Sequence, residues 1–303
     1  MKEYNRGASE APLVLIGGAF QNIAQVERLS HALSKQTWVI TFDTPGNGAT
    51  GVLPHDYPFE FICECIESAL NTLLVEQINL VGFSYGSIIA MRFAQMYPLM
   101  IHRLVLGGAM EGLPETLLYE FHLMLFYLKW NKVEAFADRF TNLMSNRELR
   151  ATNRLAKLAG EKLHYALSTA NRGIREQFWH NTQRIIDFGK TDLSALPDLQ
   201  TTVFTGTQDM FVPPEANQRI ASAVPRGCFV PIANADHMVH VIQFKKTVEV
   251  ILRGVGALVD EITPHQPATS YQHNIIPDPD LPSASSEVWP LPKMAQQQAS
   301  QTI

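Results

Sequence analysis

The segment Ile78-Asn79-Leu80-Val81-Gly82-Phe83-Ser84-Tyr85-Gly86-Ser87 constrains the fold more than any other stretch of the chain. Ile78 to Val81 has the continuous apolar character of a buried strand, and Ser87 to Met96 reads as a helix that stops before Pro98. A sharp strand-to-helix turn must join the two. Gly82 and Gly86 suit such a turn because a side chain at either place would collide with its neighbours. Ser84 is then held proud of whatever sheet the strand belongs to. The amide of Tyr85 opens the helix, where unpaired N–H groups favour a developing negative charge.

The rest of the chain repeats this rhythm of short apolar runs and longer helical patterns. Strands are predicted at Leu13 to Ile16, Trp38 to Phe42, His102 to Leu106, Thr202 to Thr205 and Cys228 to Ile232. Val26, Leu29 and Leu33 recur at helical spacing, and Phe59 to Leu74 reads as an amphipathic helix. Continuous apolar strands alternating with helices predict an α/β fold, a mostly parallel twisted sheet covered on both faces. Ligands of such sheets collect at the carboxyl ends of the strands. Gly17, Asp43, Ser84, Glu111, Asp209 and His237 fall there.

The rhythm breaks between about 112 and 197. That stretch is helical in pattern and carries the dense apolar run Leu117, Leu118, Phe121, Met124, Leu125, Tyr127, Leu128 and Trp130. It reads as a helical cap inserted between two strands and lying over the site, with part of the run packing on the main domain. The expected organisation is an extension at 1–11, a core at 12–111, the cap at 112–197, the second part of the core at 198–263 and a tail at 264–303. The tail interleaves Pro264, Pro267, Pro277, Pro279, Pro282, Pro290 and Pro292 with polar residues, a composition that predicts disorder. Trp289 and Leu291 are its candidates for a short docking motif.

A serine is a poor nucleophile without an oriented base. Phe204-Thr205-Gly206-Thr207-Gln208-Asp209 places a carboxylate on a loop after a strand, and Ala233-Asn234-Ala235-Asp236-His237 places a histidine after the last strand. The order serine, acid, histidine at three strand ends makes Ser84, Asp209 and His237 the candidate catalytic residues. Glu111, after the fourth strand, is the alternative acid, and His240 the alternative base. Asp236 is expected to point to solvent. The amides of Ala19 and Tyr85 are the candidate oxyanion donors, and Phe20, Phe121, Leu125 and Phe211 the candidate substrate contacts. Asp43-Thr-Pro-Gly46-Asn-Gly48 lacks the lysine of a phosphate loop and reads as architectural.

The chain has 303 residues, 46% hydrophobic and 17% charged, enough to build a large core. A net charge of −5 gives no footprint for nucleic acid. Cys63, Cys65 and Cys228 lack zinc spacing and read as reduced thiols. No metal or other cofactor is implied by any motif. The polar opening Met-Lys-Glu-Tyr-Asn-Arg and the lack of a long apolar run predict neither a signal peptide nor a membrane span, and a cytoplasmic location.

Residues from about Pro12 to Val259 resemble the α/β-hydrolase superfamily with a helical cap, on Gly82–Gly86, Asp43–Gly48, Gly206–Asp209 and Asp236-His237. Within it, Gly17-Gly-Ala-Phe20, the Phe42-Asp43-x-Pro45 turn and the apolar insert are similar to the bacterial 3-hydroxyacyl transferase branch, which includes rhamnolipid-precursor synthases and hydroxyacyl-carrier transacylases. That resemblance implies 3-hydroxyacyl substrates on acyl carrier protein or coenzyme A. The branch carries Ser-Trp-Gly-Gly at the elbow where this chain has Ser84-Tyr85-Gly86-Ser87, and Phe211-Val212-Pro213-Pro214 is closer to esterase-like members. With about eleven residues before the first strand, the first two strands usual in the superfamily are expected to be missing. Three functions remain open: an esterase or thioesterase on a lipophilic acyl group, a 3-hydroxyacyl transferase, or a non-catalytic binder on the same fold.

Overall fold

The computed structural model describes residues 1–258; the predicted tail at 264–303 lies outside them. In chain order the elements are β1 (Lys2–Tyr4), β2 (Leu13–Ile16), α1 (Ile23–Leu33), β3 (Val39–Thr41), α2 (Phe59–Thr72), β4 (Ile78–Phe83), α3 (Tyr85–Met96) and β5 (Ile101–Gly107). Five helices follow: α4 (Glu115–Lys129), α5 (Val133–Met144), α6 (Arg147–Thr152), α7 (Arg154–Ser168) and α8 (Arg172–Phe188). The chain then returns through β6 (Gln200–Gly206), α9 (Pro214–Ser222), β7 (Gly227–Ile232), α10 (Val239–Ile242) and α11 (Phe244–Gly254).

The strands form one seven-stranded sheet in the order β1-β3-β2-β4-β5-β6-β7. All neighbours are parallel except β1, which runs antiparallel to β3 and pairs Lys2 with Thr41 and Tyr4 with Val39. The extension thus supplies an edge strand that the sequence reading left out. Lys-Glu-Tyr is too short and polar to signal one, and only pairing to β3 makes it extended.

Side chains alternate across each strand and so divide the core in two. Leu13 and Leu15 of β2 face the layer of α1 and α11, with Val26, Leu29, Leu33, Val250 and Ile251. Val14 and Ile16 face the layer of α2 and α3, with Ile62, Ile66, Ile88 and Phe93. This is why the strands read as unbroken apolar runs rather than alternating ones. No helix among the described residues is long and apolar enough to cross a membrane.

The topology positions the site. β2 lies between β3 and β4, so the chain leaves β2 on one side of the sheet centre and returns on the other. The carboxyl ends of β2 and β4 meet at this switch point, the place where parallel sheets open a crevice. Ile16 pairs with Gly82, which sends the loops after them out side by side. Gly206 pairs with Ile232, which does the same for the loops carrying Asp209 and His237.

The helices from α4 to α8 leave and rejoin the sheet through a narrow neck. Gly112 bridges Lys190, and the Thr191 N–H donates to the Glu111 carbonyl. A Cβ on Gly112 would overlap the Gly189 carbonyl, so only glycine lets the two strands of the neck approach this closely.

Candidate active site

Ser84 sits at the turn between β4 and α3 with φ 48° and ψ −116°, a left-handed conformation that a residue with a Cβ adopts at a cost of about 1–3 kcal/mol. Two close approaches hold it there. A Cβ on Gly82 would lie 2.4 Å from the Gly86 carbonyl oxygen, and one on Gly86 would lie 2.5 Å from that of Gly17. The Ser84 N–H donates to Gly107 O at 2.9 Å, and the Ser87 hydroxyl donates to Ser84 O.

His237 Nε2 lies 3.0 Å from Ser84 Oγ, and its Nδ1 lies 2.8 Å from Asp209 Oδ2. To reach Ser84 the imidazole passes over Gly108, which has φ +54° and whose added Cβ would come within 2.9 Å of the ring. Asp209 is 3% exposed and fully hydrogen-bonded. Its Oδ2 also accepts from the Thr205 hydroxyl at 2.6 Å, and its Oδ1 accepts from the N–H groups of Phe211 and Val212. Four donors fix the carboxylate, which in turn fixes the imidazole. A row of this kind can draw the hydroxyl proton from serine onto Nε2 and hold the resulting imidazolium.

The alternatives have other partners. Glu111 accepts from Arg219 at 2.6 Å, an ion pair whose arginine is largely exposed. His240 is half-buried, with Nε2 2.8 Å from Gln21 Nε2 and its ring beside Phe83. Gln21 turns its other end on the loop after β2, where Oε1 accepts the Gly18 N–H at 2.8 Å. The bond requires His240 Nε2 to accept, so His240 is neutral and braces the loop.

Burial first, and then the nearby His237, push the His240 pKa down to about 4. The unfolded chain therefore takes up a proton near pH 6.5 that the folded protein refuses until about pH 4. Stability falls as pH drops through that window, and the full depression is worth roughly 3 kcal/mol. Urea unfolding at stepped pH should show this loss in the wild type and a shallower dependence in His240→Gln. An equal slope in both would remove His240 as its source.

Asp236 is 1% exposed, which corrects the expectation that it faces solvent. Its Oδ1 accepts the Met238 N–H, and its Oδ2 accepts the N–H of Asn146 at the start of α6. Burial raises its pKa, with the two backbone donors opposing the rise. The carboxylate ties the loop of the base to the inserted helices.

The Ala19 and Tyr85 backbone N–H groups have no acceptor among the described residues, and both residues line a cavity with Ser84. That cavity is narrow, about 20 Å³, and its walls are Met110, Phe121, Phe140, Met144, Phe178, Asn181, Thr182, Ile185 and Phe211. Phe121 and Phe211 are therefore in place, their rings stacked at 5.7 Å. Phe20 and Leu125 are not wall residues. The Phe20 ring is captured by an aromatic cluster instead, stacked 4.0 Å from Phe178 and edge-on to Phe140. Leu125, one turn beyond Phe121 on α4, is buried away from the cavity. A larger cavity of about 360 Å³ lies between Phe42–Thr50 and α2, with Asp43 and Cys65 among its walls. Both carboxylate oxygens of its Asp43 accept backbone N–H groups, from Ile23 and Ala49.

Sequence reading missed the polar floor under Tyr85. Arg184, 2% exposed, donates to the carbonyls of Leu53, Pro54 and Tyr57, to the Tyr85 hydroxyl and to Asn181 Oδ1. All its hydrogen-bond partners among the described residues are neutral. Asn181 Nδ2 donates to Gly46 O and Asn47 Oδ1. A lone arginine in a helical stretch gives no signal of this role.

Residues 11–243 match the family described as the alpha/beta hydrolase fold. Over 101 residues the chain is 33% identical to the poly(3-hydroxyalkanoate) depolymerase of Ectopseudomonas oleovorans, which spans 33% of this chain and 36% of that protein. Among solved structures it is similar to MGS-M2, an alpha/beta hydrolase enzyme from a Medee basin deep-sea metagenome library. The TM-score is 0.73 at 20% identity, covering 87% of this chain and 92% of that one. A thermophilic esterase from Thermogutta terrifontis matches with TM-score 0.71 at 20% identity, over 84% and 92% of the two chains. By the match that spans both parts of its sheet, the chain belongs to the alpha/beta hydrolase fold family.

Proposed function

We propose that this protein is a serine-dependent acyl hydrolase that cleaves esters or thioesters of a lipophilic acyl group through a covalent Ser84 intermediate. The observation that carries the reading is the row Ser84 Oγ, His237 Nε2, His237 Nδ1, Asp209 Oδ2, with spacings of 3.0 and 2.8 Å. Ser84 Oγ attacks the carbonyl carbon while its proton passes to His237 Nε2, and the carbonyl oxygen becomes an oxyanion facing the Ala19 and Tyr85 amides. The bond to the leaving alcohol or thiol then breaks as His237 returns the proton to it. Water, deprotonated by His237, cleaves the acyl-enzyme, and the proton goes back to Ser84.

The apolar walls Met110, Phe121, Phe140, Met144, Phe178, Ile185 and Phe211 favour a hydrocarbon acyl group over a small polar one. The cavity is about the size of a single water, so the acyl chain enters as side chains of the inserted helices part. The likeness to a poly(3-hydroxyalkanoate) depolymerase favours a 3-hydroxyacyl group. With a second hydroxyacyl group as acceptor in place of water, the same intermediate would make the protein a transferase using acyl carrier protein or coenzyme A as carrier.

The test is product analysis by mass spectrometry on p-nitrophenyl decanoate and a 3-hydroxydecanoyl thioester. Free acid from both, at rates well above a Ser84→Ala blank, is the expected result. A condensed or carrier-exchanged hydroxyacyl product would replace hydrolysis by transfer. No product from either substrate would overturn the reading.

A further inference from the structure

The side chains that wall the Ser84 cavity include four polar ones, and three of them are already engaged. Ser84 Oγ is held by His237. The Tyr85 hydroxyl donates to Asn181 Oδ1 and accepts from Arg184. Both ends of the Asn181 amide are used, Oδ1 by Tyr85 and Arg184 and Nδ2 by Gly46 and Asn47. The fourth is Thr182, which is 2% exposed and whose hydroxyl makes no hydrogen bond among the described residues.

A threonine inside a helix ordinarily turns its hydroxyl back onto the carbonyl four residues earlier. At helix C-termini Thr72 does so to Ser68, Thr152 to Glu148 and Thr169 to Tyr165. Thr182 on α8 makes no such bond to Phe178. Thr182 and Ser84 line the same cavity, whose other walls are largely phenylalanine and methionine, and a hydrogen bond left unmade there has a cost. The unpartnered hydroxyls of Thr141, Ser145 and Thr191 are wholly enclosed and do not line this cavity.

The geometry points to Thr182 as the specificity determinant for a polar substituent close to the reacting carbonyl, the β-hydroxyl of a 3-hydroxyacyl group. This rests on the acyl-enzyme reading above. When the acyl group is attached to Ser84 Oγ, the β-hydroxyl is two carbons from the ester carbon, within reach of the walls of a cavity this small. Carbons farther along meet only the apolar walls. The hydroxyl of Thr182 can donate to or accept from the substrate hydroxyl, and a simple acyl chain leaves it unpaired. Recognition by a hydrogen bond at this place separates hydroxyacyl from plain acyl groups of equal length, which apolar walls alone do poorly.

The test compares p-nitrophenyl 3-hydroxydecanoate with p-nitrophenyl decanoate on the full-length wild type, Thr182→Val and Thr182→Ser. The leaving group is shared, so the ratio of the two kcat/KM values isolates the β-hydroxyl. The wild type is expected to prefer the hydroxy ester about tenfold, the worth of one neutral hydrogen bond. Thr182→Val, which keeps the shape, should bring that ratio close to one, and Thr182→Ser should retain most of it. A ratio kept in Thr182→Val, no preference in the wild type, or an equal loss on both esters would each overturn the role of Thr182. Failure of the wild type to cleave either ester would instead overturn the hydrolase reading, and the inference with it.

Discussion

Ser84→Ala is expected to lower kcat by at least about 10³ on any substrate the protein turns over, because nucleophile and base act as a unit. Among the described residues the side chain's one hydrogen bond is to His237 at 3.0 Å, so its loss removes the attacking atom and little else. Stability should change by no more than about 1 kcal/mol, the worth of one hydrogen bond. Alanine has the same Cβ in the same left-handed turn, and the glycines at 82 and 86 continue to define that turn. On the proposed mechanism, the residual rate would come from the amides of Ala19 and Tyr85 polarising a bound carbonyl. Steady-state rates should be paired with mass spectra of protein treated with a fluorophosphonate. Wild type should gain one adduct on the peptide bearing Ser84, and the variant none. Activity retained within tenfold, or an adduct on another residue, would remove Ser84 from the chemistry.

The elbow was legible in the sequence because its demands are local. A strand, two glycines and a helix start specify the turn without help from the rest of the chain. Asp209 and His237 were legible because a parallel sheet puts loops at strand ends, and few residue types in those loops can do proton chemistry. What escaped were contacts between residues far apart in the chain. Asp236 looked like a surface residue until Asn146, from the inserted helices, supplied a backbone donor for it. Gln21 and His240 gave no pattern, since their bond joins opposite ends of the core. Phe20 looked like a substrate contact from its place in the loop after β2, yet its ring is captured by Phe136, Phe140 and Phe178. The edge strand β1 was invisible because three polar-to-aromatic residues become extended only by pairing with β3.

Asp209→Asn should lower kcat by about 10⁴ with little change in KM, the size of effect seen when a triad carboxylate becomes an amide. The reason lies in which atom can face which donor. Oδ1 accepts two backbone N–H groups, from Phe211 and Val212, so the amide oxygen of asparagine must stay there. The amide nitrogen is left where Oδ2 accepted from His237 Nδ1 and Thr205. Thr205 can rotate its hydroxyl and accept, but the histidine can satisfy an N–H donor only by presenting a bare Nδ1. Its proton then sits on Nε2, facing Ser84, where a base is needed. The variant is folded and correctly shaped, and holds the wrong tautomer. Glu111→Gln is the matched comparison, since Glu111 bonds an exposed arginine. It should keep kcat within about twofold, as exposed ion pairs carry under about 1 kcal/mol. If Glu111→Gln fell as far as Asp209→Asn, the imidazole would be oriented by a contact other than the one at 2.8 Å, and the acid would have to be reassigned.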